Sequence, residues 1–95
     1  MHRTTRRFWR CYDRLSPEVQ RVADQSFALL KRDPRHPSLN FKKTGRLWSA
    51  RVGIHHRALA APDATGFLWV WIGTHAEYDR LTTANTHSRT HHETE

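Results

Sequence analysis

The hydrophobic pattern of this chain changes period near the middle of the sequence, and that change constrains the fold more than any other feature. Before Pro34, apolar residues recur at the three- and four-residue spacing of a helix. After Pro37 they alternate with polar residues, as in strands that bury one face. Helices grouped ahead of strands predict an α+β domain, in which a helical hairpin packs on one face of a small antiparallel β-sheet and leaves the other face open.

Two helices are predicted before the change of period. Residues 5–15 carry apolar side chains at helical spacing, although alternate residues from 8 to 14 also fit a strand, so the helix is favoured over a competing strand. The segment Ser16-Pro17-Glu18 is a typical helix start, because serine caps the backbone, proline fits the first turn and an acid suits the positive end of the helix dipole. Pro34 predicts that this second helix ends near Asp33.

Four strands are predicted after the change of period, over residues 39–43, 47–52, 57–61 and 67–72. Residues 62–66 have the composition of a loop. Residues 75–81 form a short helix or an ordered end, and residues 82–95 form a flexible polar tail. Residues 1–81 are therefore predicted to make one domain.

Positive charge is concentrated on the predicted sheet. The chain has 16 Lys and Arg against 9 Asp and Glu, yet no acidic residue occurs between Pro34 and Pro62. The basic residues of that stretch are Arg35, Lys42, Lys43, Arg46, Arg51 and Arg57, with His36, His55 and His56 besides. Segregated charge of this kind favours a polyanionic partner, with an ordinary solvated face as the alternative.

Cysteine content and hydropathy indicate where the protein resides. Cys11 is the single cysteine, so no internal disulfide can form. No apolar run approaches the length of a membrane span, and the N-terminal residues lack the apolar core of a signal peptide. These features predict a soluble cytoplasmic protein that has no membrane partner.

Several segments resemble the RelE/ParE superfamily, the toxins of type II toxin–antitoxin pairs. Residues 47–59, LWSARVGIHHRAL, are similar to the central hairpin of these toxins. Residues 69–81, WVWIGTHAEYDRL, are similar to the C-terminal strand and ending of one branch, and residues 15–20 and 33–39 fit the helical hairpin and its exit. The resemblance covers about residues 5–81, and its specificity lies in the order and spacing of the segments together.

The resemblance implies a RelE-like fold, toxin activity and a cognate antitoxin protein. Most RelE-like toxins cut mRNA on the ribosome without a metal or other cofactor, whereas the ParE branch inhibits DNA gyrase. The favoured function is therefore a ribosome-dependent endoribonuclease, with mRNA and the ribosome as partners. A ParE-like gyrase inhibitor and a non-catalytic RNA- or ribosome-binding module of the same fold are the alternatives, because a fold does not by itself fix a function.

Metal-free RNA cleavage requires cations at the phosphate, a base for the 2′-hydroxyl and an acid for the leaving oxygen. The resemblance to the YoeB-like hairpin implies that Arg57 contacts the scissile phosphate, which a guanidinium can bind through two oxygens. Arg51 is the second candidate cation. His75 matches the C-terminal histidine of the family and is the candidate general acid. Tyr78, three residues later, is predicted to face the same way and to orient the substrate, stack on a base or pack.

The predicted RNA-binding residues are Lys42, Lys43, Arg46, His55 and His56. The YoeB-like branch carries a carboxylate base ahead of the central hairpin, but the matching position here lies near Pro37. Lys43, His55 and His56 remain as substitutes for that base. No metal site is predicted, because neighbouring histidines on a strand point to opposite faces. The tail residues His87, His91 and His92 could bind a metal only weakly, and an incidental or engineered tail is the favoured interpretation.

Overall fold

The computed structural model describes residues 1–82. It has the strands β1 (His2–Thr4), β2 (Lys42–Thr44), β3 (Leu47–Val52), β4 (His56–Asp63) and β5 (Gly66–Thr74). Its helices are α1 (Arg6–Asp13), α2 (Pro17–Arg32), a 3-10 turn (Pro37–Leu39) and a C-terminal helix seen over residues 75–82. The α+β class is confirmed. No helix within residues 1–82 is long and apolar enough to cross a membrane. Apart from Thr82, which is helical, the predicted tail lies outside the described residues.

The five strands form one sheet in the order β1-β5-β4-β3-β2. The pairs β2–β3, β3–β4 and β4–β5 are antiparallel, whereas β1 runs parallel to β5. The sheet is therefore mixed, and the prediction of a purely antiparallel sheet is wrong at this edge. The sequence gives little indication of β1, because three residues are too few to show an alternating pattern.

The two predicted helices form as expected, and the competing strand over residues 5–15 is wrong. Thr5 caps α1 by accepting a hydrogen bond from the backbone N–H of Phe8, and Ser16 caps α2 by accepting from that of Val19. Each cap satisfies a backbone donor that the first helical turn leaves without a partner. The helix α2 ends at Arg32, followed by Asp33 as its C-cap.

The sheet face that α1 and α2 cover is apolar, and we call it the hairpin face. Its registered rows include Trp48–Ala60–Trp69 and Ala50–Ala58–Ile72. The helices contribute Ala23 and Leu30 to the same core, with Phe8, Tyr12 and Leu15 packed beside them. Burial of these side chains removes apolar surface from water at roughly 25 cal/mol per Å², which makes this face the main source of stability.

The opposite sheet face, which we call the arginine face, carries Ser49, Arg51, Arg57, Leu59 and Trp71 in alternation with the residues of the hairpin face. Tyr78 of the C-terminal helix packs against Leu59 and Trp71 and is 7% exposed. The prediction that this face stays open is therefore wrong where the C-terminal helix covers it. The physical reason is that Leu59 and Trp71 form a second apolar patch, which is stabilised when another element removes it from water.

Several strand boundaries also differ from the prediction. Residues 37–39 form the 3-10 turn, and Asn40 adopts a left-handed conformation with φ of 43°, so β2 begins only at Lys42. The expected loop over residues 62–66 is a tight turn, because β4 continues through Asp63 and β5 begins at Gly66. Pro62 is tolerated in β4 because β3 pairs with β4 only as far as Ala60.

Candidate active site

Two arginines face each other at the centre of the arginine face. Arg57 of β4 pairs directly with Arg51 of β3 and with Gly73 of β5. Arg57 is only 4% exposed, whereas Arg51 is exposed to solvent. A Cβ at Gly73 would overlap the Trp71 ring and the Glu77 carboxylate, so glycine permits the close approach of the C-terminal helix. Like charges directly opposite each other destabilise a sheet unless an anion lies near them.

The guanidinium of Arg57 is held by neutral groups rather than by a carboxylate. Its Nη2 donates to Ser49 Oγ at 2.9 Å and to the Asn40 carbonyl at 3.3 Å. Its central carbon lies 4.9 Å from the centroid of the Tyr78 ring, and its buried Nε has no hydrogen-bond partner among the described residues. Burial lowers the pKa of Arg57, as does the charge of Arg51, with partial opposition from Tyr78 and Asp79.

Tyr78 lies at the centre of this network. Its phenol oxygen is 3.2 Å from Thr44 Oγ1 and 3.5 Å from Ser49 Oγ. Burial by itself raises the pKa of the phenol. The hydrogen bonds with Ser49 and Thr44 and the charges of Arg57 and Lys42 outweigh that effect, so the pKa of Tyr78 is lowered overall. The buried phenol is therefore in an environment that favours its anionic form.

His75 lies at the start of the C-terminal helix, next to Tyr78. Its ring is stacked on the Tyr78 ring with centroids 5.8 Å apart, which confirms that the two side chains face the same way. Its Nε2 lies 3.5 Å from the Asp79 carboxylate, and both side chains are exposed. Thr74 and Glu77 cap this helix reciprocally. The Glu77 carboxylate accepts hydrogen bonds from the backbone N–H and the hydroxyl of Thr74, and the Thr74 hydroxyl accepts one from the backbone N–H of Glu77. The imidazole is thus fixed at the solvent-facing rim of the Arg57 and Tyr78 cluster.

The five predicted RNA-binding residues do not all share one face. Lys42 is paired with Ser49 and belongs to the arginine face, whereas Lys43 is paired with Trp48 of the hairpin face. Arg46 lies in the turn between β2 and β3, and it is exposed. The structure therefore brings Lys42 to the candidate site and leaves Lys43 on the other side of the edge strand.

The two adjacent histidines occupy the turn between β3 and β4 and the strand that follows. His55 is exposed in the turn, and its carbonyl accepts from the His75 backbone N–H at 2.7 Å. His56 is half-buried in the row of Val52 and Thr74. Burial lowers the pKa of His56, and the charge of His55 adds to this effect while Glu77 opposes it. Both histidines are therefore near the first turn of the C-terminal helix.

Sequence reasoning missed three groups that complete the network: the Ser49 hydroxyl, the Asn40 carbonyl and the Asp79 carboxylate. Ser49 and Arg51 are two residues apart in a predicted strand and so share one face, but this spacing gives no sign that Ser49 is fully buried. Asp79 follows His75 by four residues, a helical spacing at which an acid and a histidine meet. That spacing is the one signal that could have identified it.

The cations of the site have no acidic partner within ion-pair distance in the part of the chain that the structure describes. The two ion pairs seen there join Arg3 to Asp63 and His75 to Asp79. In residues 1–82, no three His, Cys, Asp or Glu side chains come together in a group that could hold a metal ion. His87, His91 and His92 lie outside the described residues. Chemically, the arrangement offers two guanidinium groups to an anion and an imidazole at its edge.

Comparison with known proteins adds no family to this description. No protein-family model matches the sequence, and a search of curated proteins finds no significant match.

Proposed function

We propose that this protein is the toxin of a type II toxin–antitoxin pair and a ribosome-dependent endonuclease that cuts mRNA without a metal. The observation that carries the proposal is the pair Arg51 and Arg57, which face each other across β3 and β4 without a carboxylate at ion-pair distance among residues 1–82. His75 and Tyr78 are stacked beside that pair. The resemblance of residues 47–59 and 69–81 to RelE/ParE toxins supports the same function, with an antitoxin as a protein partner.

The proposed reaction is an internal transfer at phosphorus. The 2′-oxygen of one nucleotide forms a bond to the adjacent phosphorus, and the bond from phosphorus to the 5′-oxygen of the next nucleotide breaks. The proton of the 2′-hydroxyl passes to a base, and the departing 5′-oxygen takes a proton from an acid. The products are a 2′,3′-cyclic phosphate end and a 5′-hydroxyl end. DNA is excluded because it lacks the 2′-hydroxyl.

The two arginines would stabilise the charge that accumulates on the phosphate oxygens. Arg51 is exposed and would contact the phosphate first. Arg57 is buried beside it and would add a second positive charge at the same phosphate. Guanidinium groups suit this task because they stay charged and bind two oxygens at once. Lys42 lies on the edge strand β2, on the same face. There it would extend the contact along the RNA backbone by binding a further phosphate.

His75 would donate the proton to the leaving 5′-oxygen. Its imidazole is exposed at the rim of the cluster, and the Asp79 carboxylate lies at 3.5 Å from Nε2 and can orient it. His55, exposed near the helix start, is then the candidate base. Lys43 and His56 are less suitable, because their registers with Trp48 and with Val52 put them on the hairpin face.

The test is a cell-free translation reaction that contains a short mRNA and the purified protein. The proposal predicts cleavage within the translated region, with a 2′,3′-cyclic phosphate on the upstream fragment. A single 2′-deoxynucleotide at the cut site should block the reaction, because the attacking oxygen is then missing. Arg51→Ala should slow cleavage by roughly a hundredfold, whereas Arg21→Ala, at an exposed position of α2, should not.

The alternatives predict different results in the same assay. A ParE-like inhibitor leaves the mRNA intact and blocks supercoiling by purified gyrase. A non-catalytic module binds RNA or ribosomes in a salt-sensitive way and yields no fragments. Either result, or cleavage of the 2′-deoxy substrate at an unchanged rate, would contradict the proposed chemistry.

A further inference from the structure

Ser49 is a polar side chain that is fully buried in the middle of the sheet. It lies on β3 with a relative exposure of 0%, on the arginine face and in register with Leu59. A buried hydroxyl is costly unless its hydrogen bonds are made inside the protein. Alanine would fill this position without the cost of removing a hydroxyl from water. Packing alone therefore does not explain the serine.

The contacts of Ser49 join two groups of the candidate site. A serine hydroxyl offers one donor and two acceptor positions. One acceptor position takes the hydrogen bond from Arg57 Nη2 at 2.9 Å. Tyr78 Oη lies 3.5 Å away on another side and is also 3.2 Å from Thr44 Oγ1. The hydroxyl of Ser49 thus connects β4, the C-terminal helix and, through Tyr78, the edge strand β2.

We infer that Ser49 is a positioning residue, whose hydroxyl fixes the guanidinium of Arg57 and couples it to the phenol of Tyr78. The remaining contact of Nη2 is the Asn40 carbonyl at the longer distance of 3.3 Å. Without Ser49, Nη2 would keep only this hydrogen bond, and the Tyr78 ring beside it would constrain the orientation of the guanidinium less closely. With Ser49 present, Nη2 points inward, and Nη1, which has no partner among the described residues, is left for a ligand.

This inference rests on the proposed function only where it concerns RNA cleavage. The coupling between Ser49, Arg57 and Tyr78 is a property of the folded protein and can be measured without a substrate. The two parts are therefore tested by separate experiments.

The first experiment follows ionisation of Tyr78 by tyrosinate absorbance near 295 nm. Tyr12 and Tyr78 are the only tyrosines, so the titration is done with Tyr12→Phe present throughout. Ser49→Ala should shift the midpoint upward by several tenths of a pH unit, because the phenolate loses a hydrogen-bond donor and a well-placed cation. Ser26→Ala on α2 is the matched control and should leave the midpoint unchanged. An unchanged midpoint in Ser49→Ala overturns the coupling.

A second variant keeps the inference testable if Ser49→Ala does not fold. Tyr78→Phe retains the ring over Arg57 and removes only the phenol oxygen. In NMR spectra, this change should move the Arg57 Nε–H resonance and speed its exchange with water, because the network that holds the guanidinium has lost a member. A resonance that stays where it is in the parent, with unchanged exchange, contradicts the inference.

The third experiment measures cleavage at saturating and at limiting mRNA. Ser49→Ala should lower the maximal rate about tenfold with little change in the half-saturating concentration, since misorientation of Arg57 affects the transition state more than binding. Equal maximal rates for the parent and Ser49→Ala overturn the positioning role. If the parent cuts no RNA while the Tyr78 midpoint shifts as predicted, the proposed function fails and the structural coupling stands.

Discussion

The two faces of the sheet satisfy their buried groups in different ways. On the hairpin face, aromatic and small apolar side chains pack under α1 and α2, and Trp69 makes its polar contact through an indole N–H that donates to His2. On the arginine face, a buried guanidinium is held by a serine, a carbonyl and an aromatic ring, with its Nε left without a partner in the described structure. The residues of the two faces are therefore not interchangeable.

Under the proposed function, this difference assigns stability to the hairpin face and activity to the arginine face. Apolar burial contributes to folding without a partner molecule. A buried charge that lacks a counter-ion costs free energy. In the proposed function, the buried charge of Arg57 serves the preorganised binding of a phosphate. The contrast predicts that substitutions on the hairpin face lower stability, whereas substitutions on the arginine face lower activity at little cost in stability.

Trp69→Ala should have the largest effect on stability. Trp69 is 3% exposed in the core of the hairpin face, and truncation of a buried tryptophan costs about 3–5 kcal/mol. Urea denaturation of Trp69→Ala and Trp9→Ala would measure the effect, with Trp9 as the control because it is 46% exposed. A loss for Trp69→Ala no greater than that for Trp9→Ala would contradict the role of this face.

Arg57→Met, unlike Trp69→Ala, should not lower the free energy of unfolding. Methionine fills much of the same volume and removes a buried charge, so the free energy of unfolding should stay constant or rise by about 1 kcal/mol. Cleavage of RNA should be lost in the same variant. Chemical denaturation and the translation assay together test this dissociation of stability from activity. A loss of several kcal/mol would show instead that Arg57 is required for folding.

Tyr78→Phe should destabilise the arginine face modestly. The phenol oxygen contacts Thr44 and Ser49, and loss of such hydrogen bonds costs about 0.5–1.5 kcal/mol. Tyr12→Phe is the control, because the Tyr12 hydroxyl donates to Asp24 on the exposed helical side. Thermal unfolding of the two variants should show the larger decrease for Tyr78→Phe, and the opposite order would mean that the buried network contributes little.

The smallest predicted effect is a dependence of stability on pH at the edge of the hairpin face. Burial, the N-terminal charge and Lys31 lower the pKa of His2 from its ordinary 6.5. The unfolded chain therefore takes up this proton first, so stability is fully present above 6.5 and decreases as the pH falls below it. Protonation also removes the acceptor at Nδ1 for the Trp69 indole.

His2→Phe isolates this contribution, because it keeps a ring beside Phe67 and removes the titrating group. Denaturant melts from about pH 7.5 to about pH 5.5 should show a steeper loss of stability for the parent than for His2→Phe. Because His56 shares the same direction of pKa shift, only the difference between the two proteins is assigned to His2. Parallel curves would contradict the prediction.

Local patterns predicted much of the hairpin face. The cap at Ser16 and the period of apolar residues are local signals, and the structure has both helices where those signals place them. The alternation expected of a strand over residues 47–52 also puts Ser49 and Arg51 on the face opposite Trp48, as the register shows. These features could be predicted because each depends on residues that are close in the sequence.

The features of the fold and the site that could not be predicted depend on contacts between distant segments. The strand β1 exists through its parallel pairing with β5, more than sixty positions away. Ser49 is buried because Tyr78, 29 positions later, covers it. Sequence alternation distinguishes one face from the other, but it does not say which elements will cover a face. The burial of Arg57 was for that reason not foreseen.

The most direct test of the account is to map mRNA 5′ ends in cells within minutes of inducing the protein. The parent should create new ends inside translated regions, whereas Arg57→Met should create none although it folds, and Arg21→Ala should behave as the parent. This result would assign the buried arginine to RNA cleavage. New ends at the parental level in a folded Arg57→Met, or growth arrest by the parent with intact mRNA, would contradict the central claim.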